Sequence, residues 1–228
     1  ACGLAVAYGE RRPILPGHTL VAPARPVARL GELSLEELTA LFETVRSAQA
    51  IVGPAHGATA FNLAVKDGAA AGPPSALAEH VHVHVVPRSP GQFGDGDGDQ
   101  VYGMIDRWSP EGEVNEPPPL EFPPDEQRRR RTEEEMAEEA RAYADADASA
   151  DRGALPTSAV TFGEFELRPS QVFATSPSGL SMATVNLKPL VPGHVLVIPK
   201  RRVPTLAGLA ADELADLCAT TRRVQDVV

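Results

Sequence analysis

The sequence predicts an α+β fold, an antiparallel sheet with packed helices, part of it duplicated in tandem. Three observations predict it. Residues 13–52 and 189–228 align without a gap and are identical at 18 of 40 positions, too many for chance, so they are two copies of one structural unit. Each copy passes from a Pro-Gly turn through a short apolar strand to an amphipathic helix. Residues 80–86, His-Val-His-Val-His-Val-Val, alternate with the period of two that belongs to a strand.

The elements follow in order. Pro16-Gly17 turns the chain into a strand over 18–22, which Pro23 ends. Ser34 and Glu37 form a capping box. Leu35, Leu38, Leu41, Phe42 and Val45 then give the helix one apolar face. Residues 60–65 and 80–87 read as strands, joined by a loop over 66–79 rich in Gly, Ala and Pro. Residues 89–131 read as mostly irregular and largely mobile. Thr132 and Glu135 make a second capping box and start a helix over 133–146, with Met136, Ala140 and Tyr143 on one side. Residues 147–157 read as a linker, and 158–174 and 180–187 as further strands. The second copy then repeats the turn at Pro192-Gly193, a strand over 194–198 ended by Pro199, and a helix. The expected division is a first domain over 1–146, a linker over 147–157, and the first half of a second unit over 158–228. The first unit has a short lead-in and the second stops at its helix, so each reads as cut short at its outer end.

Composition narrows the function. With 228 residues and 43% apolar content the chain can bury a core, while 22 prolines and 19 glycines foretell irregular stretches. A formal charge of −10 argues against a general nucleic-acid partner and against an anionic membrane surface. No apolar run reaches the roughly 20 residues of a membrane span. Cys2 and Cys218 are the only cysteines and make no disulfide framework, which favours a reducing compartment.

The chemistry gathers at His80, His82 and His84. Alternate residues of a strand share a face, so these imidazoles are expected in a row, neighbours about 7 Å apart. A single strand histidine is usually a satisfied polar group; three at period two make poor core material and suit a phosphate chain. A zinc site is the rival reading, since His-x-His on a strand binds that ion, and His18 or His56 could complete it. Asp95, Asp97, Asp99 and Asp106 have the spacing of a calcium loop but lack its glycine, Gln100 standing there. The run Arg128–Arg131 reads as a solvated lead-in to a helix, and Phe61 and Leu63 as core.

HVHVHVVPR resembles the histidine-triad motif, His-x-His-x-His followed by two apolar residues. The wider chain is similar to the fragile-histidine-triad branch of the histidine-triad (HIT) superfamily, the dinucleoside triphosphate hydrolases. The stretches that carry the likeness are PGHTLVAP, PGHVLVIP, FNLAVKDGAAAG, FGDGDGDQVY with Tyr102, TEEEMAEEA, FGEFELRPSQVF and TVNLKP. The resemblance implies a HIT-like fold and a nucleotidyl hydrolase acting on dinucleoside polyphosphates, diadenosine triphosphate above all. It assigns His82 the attack on the α-phosphorus, forming a nucleotidyl-histidine that water resolves. His80, His84 and His18 would hold phosphates and protonate the leaving group. It implies no metal and no cofactor in the triad, with room for a divalent cation on the substrate.

Departures from the family are local. The stretch before the triad, GPPSALAEH, is three residues longer than the family spacing and has Ala76 and Leu77 where phosphate-binding Gln and Ser or Thr are usual, so Ser75 is the substitute. Lys66 stands in place of a glutamine that contacts the α-phosphate. A ribose-contacting asparagine is matched by Asn186 in the second unit, where the first has Glu10. Family members are usually dimers, so an intramolecular pseudo-dimer or a homodimer is expected, the second unit packing on the first or lending it a strand. The expected compartment is the cytoplasm, with the nucleus also open to it. A non-catalytic nucleotide-binding or signalling module is the alternative reading.

Overall fold

The computed structural model describes residues 3–68, 71, 79–93, 98–110 and 125–228. The chain forms two compact units, residues 1–120 and 121–228.

Unit one has a four-stranded antiparallel sheet: β1 (Ala5–Gly9), β2 (Thr19–Pro23), β3 (Ala60–Lys66) and β4 (His82–Arg88), in the order β1-β2-β4-β3. Helix α1 (Leu35–His56) starts at the Ser34–Glu37 capping box, in which Glu37 N–H donates to the Ser34 hydroxyl and Ser34 N–H to the Glu37 carboxylate. It stops at Gly57, whose φ of 60° is the left-handed conformation that ends helices. Its buried residues Leu38, Leu41, Val45 and Ala48 recur at helical spacing, and α1 lies against β1, β2 and β4. Val21, Val83 and Val85, all fully buried, fill that face of the sheet.

Register puts the histidines on the other face. His84 is opposite Leu20 of β2 and Ala64 of β3, and Lys66 is opposite His82; cross-strand partners share a face. Helix α2 (Gln100–Arg107) supplies Val101 and Ile105, which pack with Val86 of β4. From sequence alone this stretch reads as irregular. The helix after the Asp-Gly run is short, and its two buried residues, Val101 and Ile105, lie four apart, so it forms only when a sheet face is there to bury them.

Unit two contains α3 (Glu133–Ala146), the hairpin β5 (Val160–Phe162) and β6 (Phe165–Leu167), a sheet of β7 (Val172–Thr175), β8 (Ser181–Val185) and β9 (Val195–Pro199), and α4 (Ala211–Gln225). The expected first domain, 1–146, includes α3. Its Met136 and Ala140 instead pack with Phe173, Ala174, Ala183, Val185 and Val224, so the division falls after Leu120 and not after residue 146. An amphipathic helix says which face it buries and not against which sheet.

Candidate active site

Gly17 sets the first histidine. Its φ of 83° turns the chain sharply, and a Cβ there would stand 2.6 Å from the His56 ring, so only glycine fits. His18 then enters the unit 2% exposed. Its Nδ1 accepts the Ile14 N–H at 3.3 Å, which leaves the ring proton on Nε2, 3.0 Å from Nδ1 of His84. His84 therefore accepts at Nδ1 and carries its own proton on Nε2.

His82 has the opposite tautomer. Its Nδ1 lies 2.9 Å from the backbone oxygen of His80, a pure acceptor, so Nδ1 carries the proton and Nε2 keeps its lone pair. That Nε2 is buried and has no hydrogen-bond partner among the described residues, and the same holds for Nε2 of His84.

Burial sets the protonation of the row. Desolvation pushes His84 down to about 2 and His18 to about 4, with neighbouring His82 adding to both. Desolvation also lowers His82; the bond to the His80 carbonyl opposes the shift, and the Lys66 ammonium adds to it. All three rings are neutral at pH 7, the form in which an imidazole attacks.

The row differs from the expected one. The rings in sequence are His82, His84 and His18, with centroid separations of 4.9 Å and 5.2 Å. His84 holds the middle place that sequence gave to His82. His80 precedes β4, and its Nε2 is 2.9 Å from the Pro23 carbonyl oxygen, so backbone engages the ring that was expected to hold phosphate. His80 meets His82 through its own backbone carbonyl.

Lys66 stands on the same face. Its Nζ donates to the backbone oxygens of Asp106 (3.3 Å) and Trp108 (3.1 Å). Sequence reasoning missed Trp108, which is 7% exposed and packs its indole edge-to-face on His84 (4.8 Å), His18 (5.9 Å) and His82 (6.0 Å). No motif marks it; its one signal is that it is the sole tryptophan of the chain. A cleft of about 480 Å³ opens beside His18, bordered by Tyr8, Glu10, Pro13 and Ile51 among others.

Ser75, Ala76 and Leu77 fall outside the described residues, as do Asp95 and Asp97. Tyr102 is exposed on α2. Asn186 belongs to unit two, where its side-chain nitrogen is 3.3 Å from Nε2 of His194. Among the described residues no group of three or more His, Cys, Asp or Glu is arranged to hold a metal. Within the row, hydrogen bonds to Ile14, to the His80 carbonyl and between the rings already take four of the six ring nitrogens.

A bis(5'-nucleosyl)-tetraphosphatase (asymmetrical) of Schizosaccharomyces pombe is 40% identical over 104 residues, 46% of this chain and 54% of that protein. A bis(5'-adenosyl)-triphosphatase of Dictyostelium discoideum is 35% identical over 104 residues, 46% of this chain and 66% of that protein. The bifunctional bis(5'-adenosyl)-triphosphatase/adenylylsulfatase FHIT of Arabidopsis thaliana is 34% identical over 143 residues, 63% of this chain and 73% of that protein. The chain thus spans between half and two thirds of the first two relatives. The crystal structure of the Caenorhabditis elegans NitFhit protein aligns with a TM-score of 0.37 at 30% identity, over 46% of this chain and 25% of that one. The HIT domain model matches residues 3–91 and 168–228, taking in the triad strand and both copies of the repeat, and the chain belongs to the HIT domain family.

Proposed function

We propose that this chain is a nucleotidyl hydrolase that cleaves dinucleoside polyphosphates, with diadenosine triphosphate, giving AMP and ADP, as the best candidate. One observation carries the reading: a neutral imidazole, His82, is fixed through Nδ1–H, which leaves its buried Nε2 with a bare lone pair that no described residue takes up. The family membership and the names of the relatives support it.

Nε2 of His82 attacks the α-phosphorus, and the bond from that phosphorus to the bridging oxygen breaks. The leaving ADP keeps the bond electrons and takes up a proton. The resulting N–P bond is then cleaved by water, whose oxygen joins phosphorus while its proton is released and AMP departs. The His84 Nε2–H and the Lys66 ammonium are the donors placed to stabilise charge on the phosphate oxygens. His18 holds His84 in the donating tautomer. The cleft beside His18 has the volume of a small-molecule site. Binding of the nucleoside through Ser75 or Asn186 belongs to this proposal. So do a divalent cation carried on the substrate, assembly as a pseudo-dimer or homodimer, and a cytoplasmic or nuclear location. Among the described residues no helix is long and apolar enough to cross a membrane.

The test is turnover of diadenosine triphosphate with rapid acid-free quenching and mass analysis. The expected result is AMP and ADP as products and a transient AMP adduct on His82. Nucleotide binding without turnover would instead favour a non-catalytic module.

A further inference from the structure

His82 is 4% exposed and its Nε2 is buried, yet attack needs a phosphorus within about 3–3.5 Å of that atom. The indole of Trp108 lies over the row, in contact with all three rings. Two anchors hold it. Its Nε1–H donates to the Arg12 carbonyl at 3.2 Å, and Lys66 binds the carbonyls of Asp106 and Trp108 itself. Those carbonyls sit at the C-terminal end of α2, where a helix favours a cation. The Lys66 ammonium is also 5.8 Å from the indole centroid.

The same lysine is directly opposite His82 in the β3–β4 register. A phosphate brought to His82 therefore competes with the Asp106 and Trp108 carbonyls for that ammonium. Both kinds of bond are charge-assisted at the ammonium, but phosphate brings a full opposite charge that a neutral carbonyl lacks, so the anion draws the lysine.

We propose that Lys66 and Trp108 form an anion-operated latch: without phosphate, Lys66 pins residues 106–108 so that the indole caps the histidines, and a polyphosphate releases the cap by taking the ammonium. The proposal rests on the reading of the row as a phosphate site. Trp108 is a positioning residue in it, and the segment that moves is the end of α2. A ligand without a polyanionic group gains no entry, whatever its base.

Because Trp108 is the sole tryptophan, its emission reports the cap in the full chain without a label. The measurement is acrylamide quenching with and without inorganic tripolyphosphate. In the wild type, millimolar tripolyphosphate is expected to raise the quenching constant about threefold or more, the size of change that follows when a capped majority becomes an open one. Lys66→Met should show the raised constant without tripolyphosphate and no further response. Lys66→Arg, which keeps the cation, should behave like the wild type. Far-UV circular dichroism separates release of the cap from unfolding, and if Lys66→Met is unfolded the wild-type response decides. An unchanged quenching constant in the wild type, or a folded Lys66→Met as protected as the wild type, overturns the latch. A moving Trp108 without turnover of diadenosine triphosphate leaves the latch standing and removes the hydrolase reading. Normal turnover with an unmoved Trp108 does the reverse.

Discussion

The two copies of the repeat keep the same internal wiring and differ in what their histidine meets. In the first copy, Arg25 bonds Glu37 through Nε at 2.8 Å and the Glu32 carbonyl through Nη2 at 2.8 Å. In the second, Arg201 bonds Glu213 at 2.6 Å and the Gly208 carbonyl at 2.8 Å. His194 accepts the Leu190 N–H at Nδ1 as His18 accepts that of Ile14. The far nitrogens part company: that of His18 meets His84 of the triad strand, and that of His194 lies beside Asn186 of its own unit. Unit one pairs β2 with β4, whereas β9, the equivalent of β2, has only β8 as a neighbour among the described residues. The turn, strand and helix are thus a scaffold that folds alike twice. The chemistry depends on whether a histidine-bearing strand is laid beside it.

The contrast can be broken most sharply at the nucleophile. His82→Asn is expected to cut turnover by at least about 10⁴-fold while nucleotide binding and the fold persist, which steady-state kinetics and calorimetry would show together. Near-normal turnover in this variant would move the chemistry elsewhere.

The paired histidines come next. His18→Ala removes the partner of His84 Nδ1 and should lower kcat about 10²-fold, within the range for loss of a group that orients a charge-stabilising donor. His194→Ala should leave kcat within about twofold, since no chemistry is assigned to it. Equal losses at the two positions would mean that unit two contributes to the reaction.

The turn glycines test the scaffold rather than the chemistry. Both have positive φ, 83° at Gly17 and 79° at Gly193. Each alanine substitution should cost on the order of 1–3 kcal/mol in chemical denaturation. Gly17 should cost more, because its Cβ meets the His56 ring at 2.6 Å while that of Gly193 meets a Val228 methyl at 3.2 Å.

Acid should separate the units more gently. His18 and His84 titrate in the folded state at about 4 and about 2, below their unfolded value near 6.5. Between those values the unfolded chain binds protons that the folded chain refuses, so their contribution is fully present above about 6.5 and is lost as pH falls toward 4. Melting followed by Trp108 emission, which reports unit one, should shift down from about pH 7.5 to about pH 5. Unit two has the single histidine His194, so a larger shift in its transition would contradict this account.

The smallest effect is expected at the repeated ion pair. Arg25→Ala and Arg201→Ala should lower the melting temperature by no more than about 2–4 °C each, and alike, because both guanidinium groups are half exposed to solvent.

Much of this was legible beforehand because it is local. The capping boxes at Ser34 and Thr132, the glycine turns and the alternating His-Val strand are fixed by neighbours a few residues away, and the repeat doubles every such signal. What was not legible depends on chain segments far apart. Which sheet α3 covers could not be read from its apolar face. Helix α2 is too short to announce itself by periodicity. Trp108 reaches His84 only through the fold.

By itself, then, the sequence determined the duplicated turn-strand-helix and the shared face of the histidines, since periodicity and spacing act through short-range sterics and hydrogen bonds, and resemblance of its motifs pointed to the family. Tertiary structure alone decided that His84 rather than His82 is the middle ring, that His80 turns to Pro23, and that Trp108 packs on the row with Lys66 bonded to its carbonyl. Those outcomes depend on register between strands and on packing across a sheet face, where residues 40 to 66 positions apart come into contact.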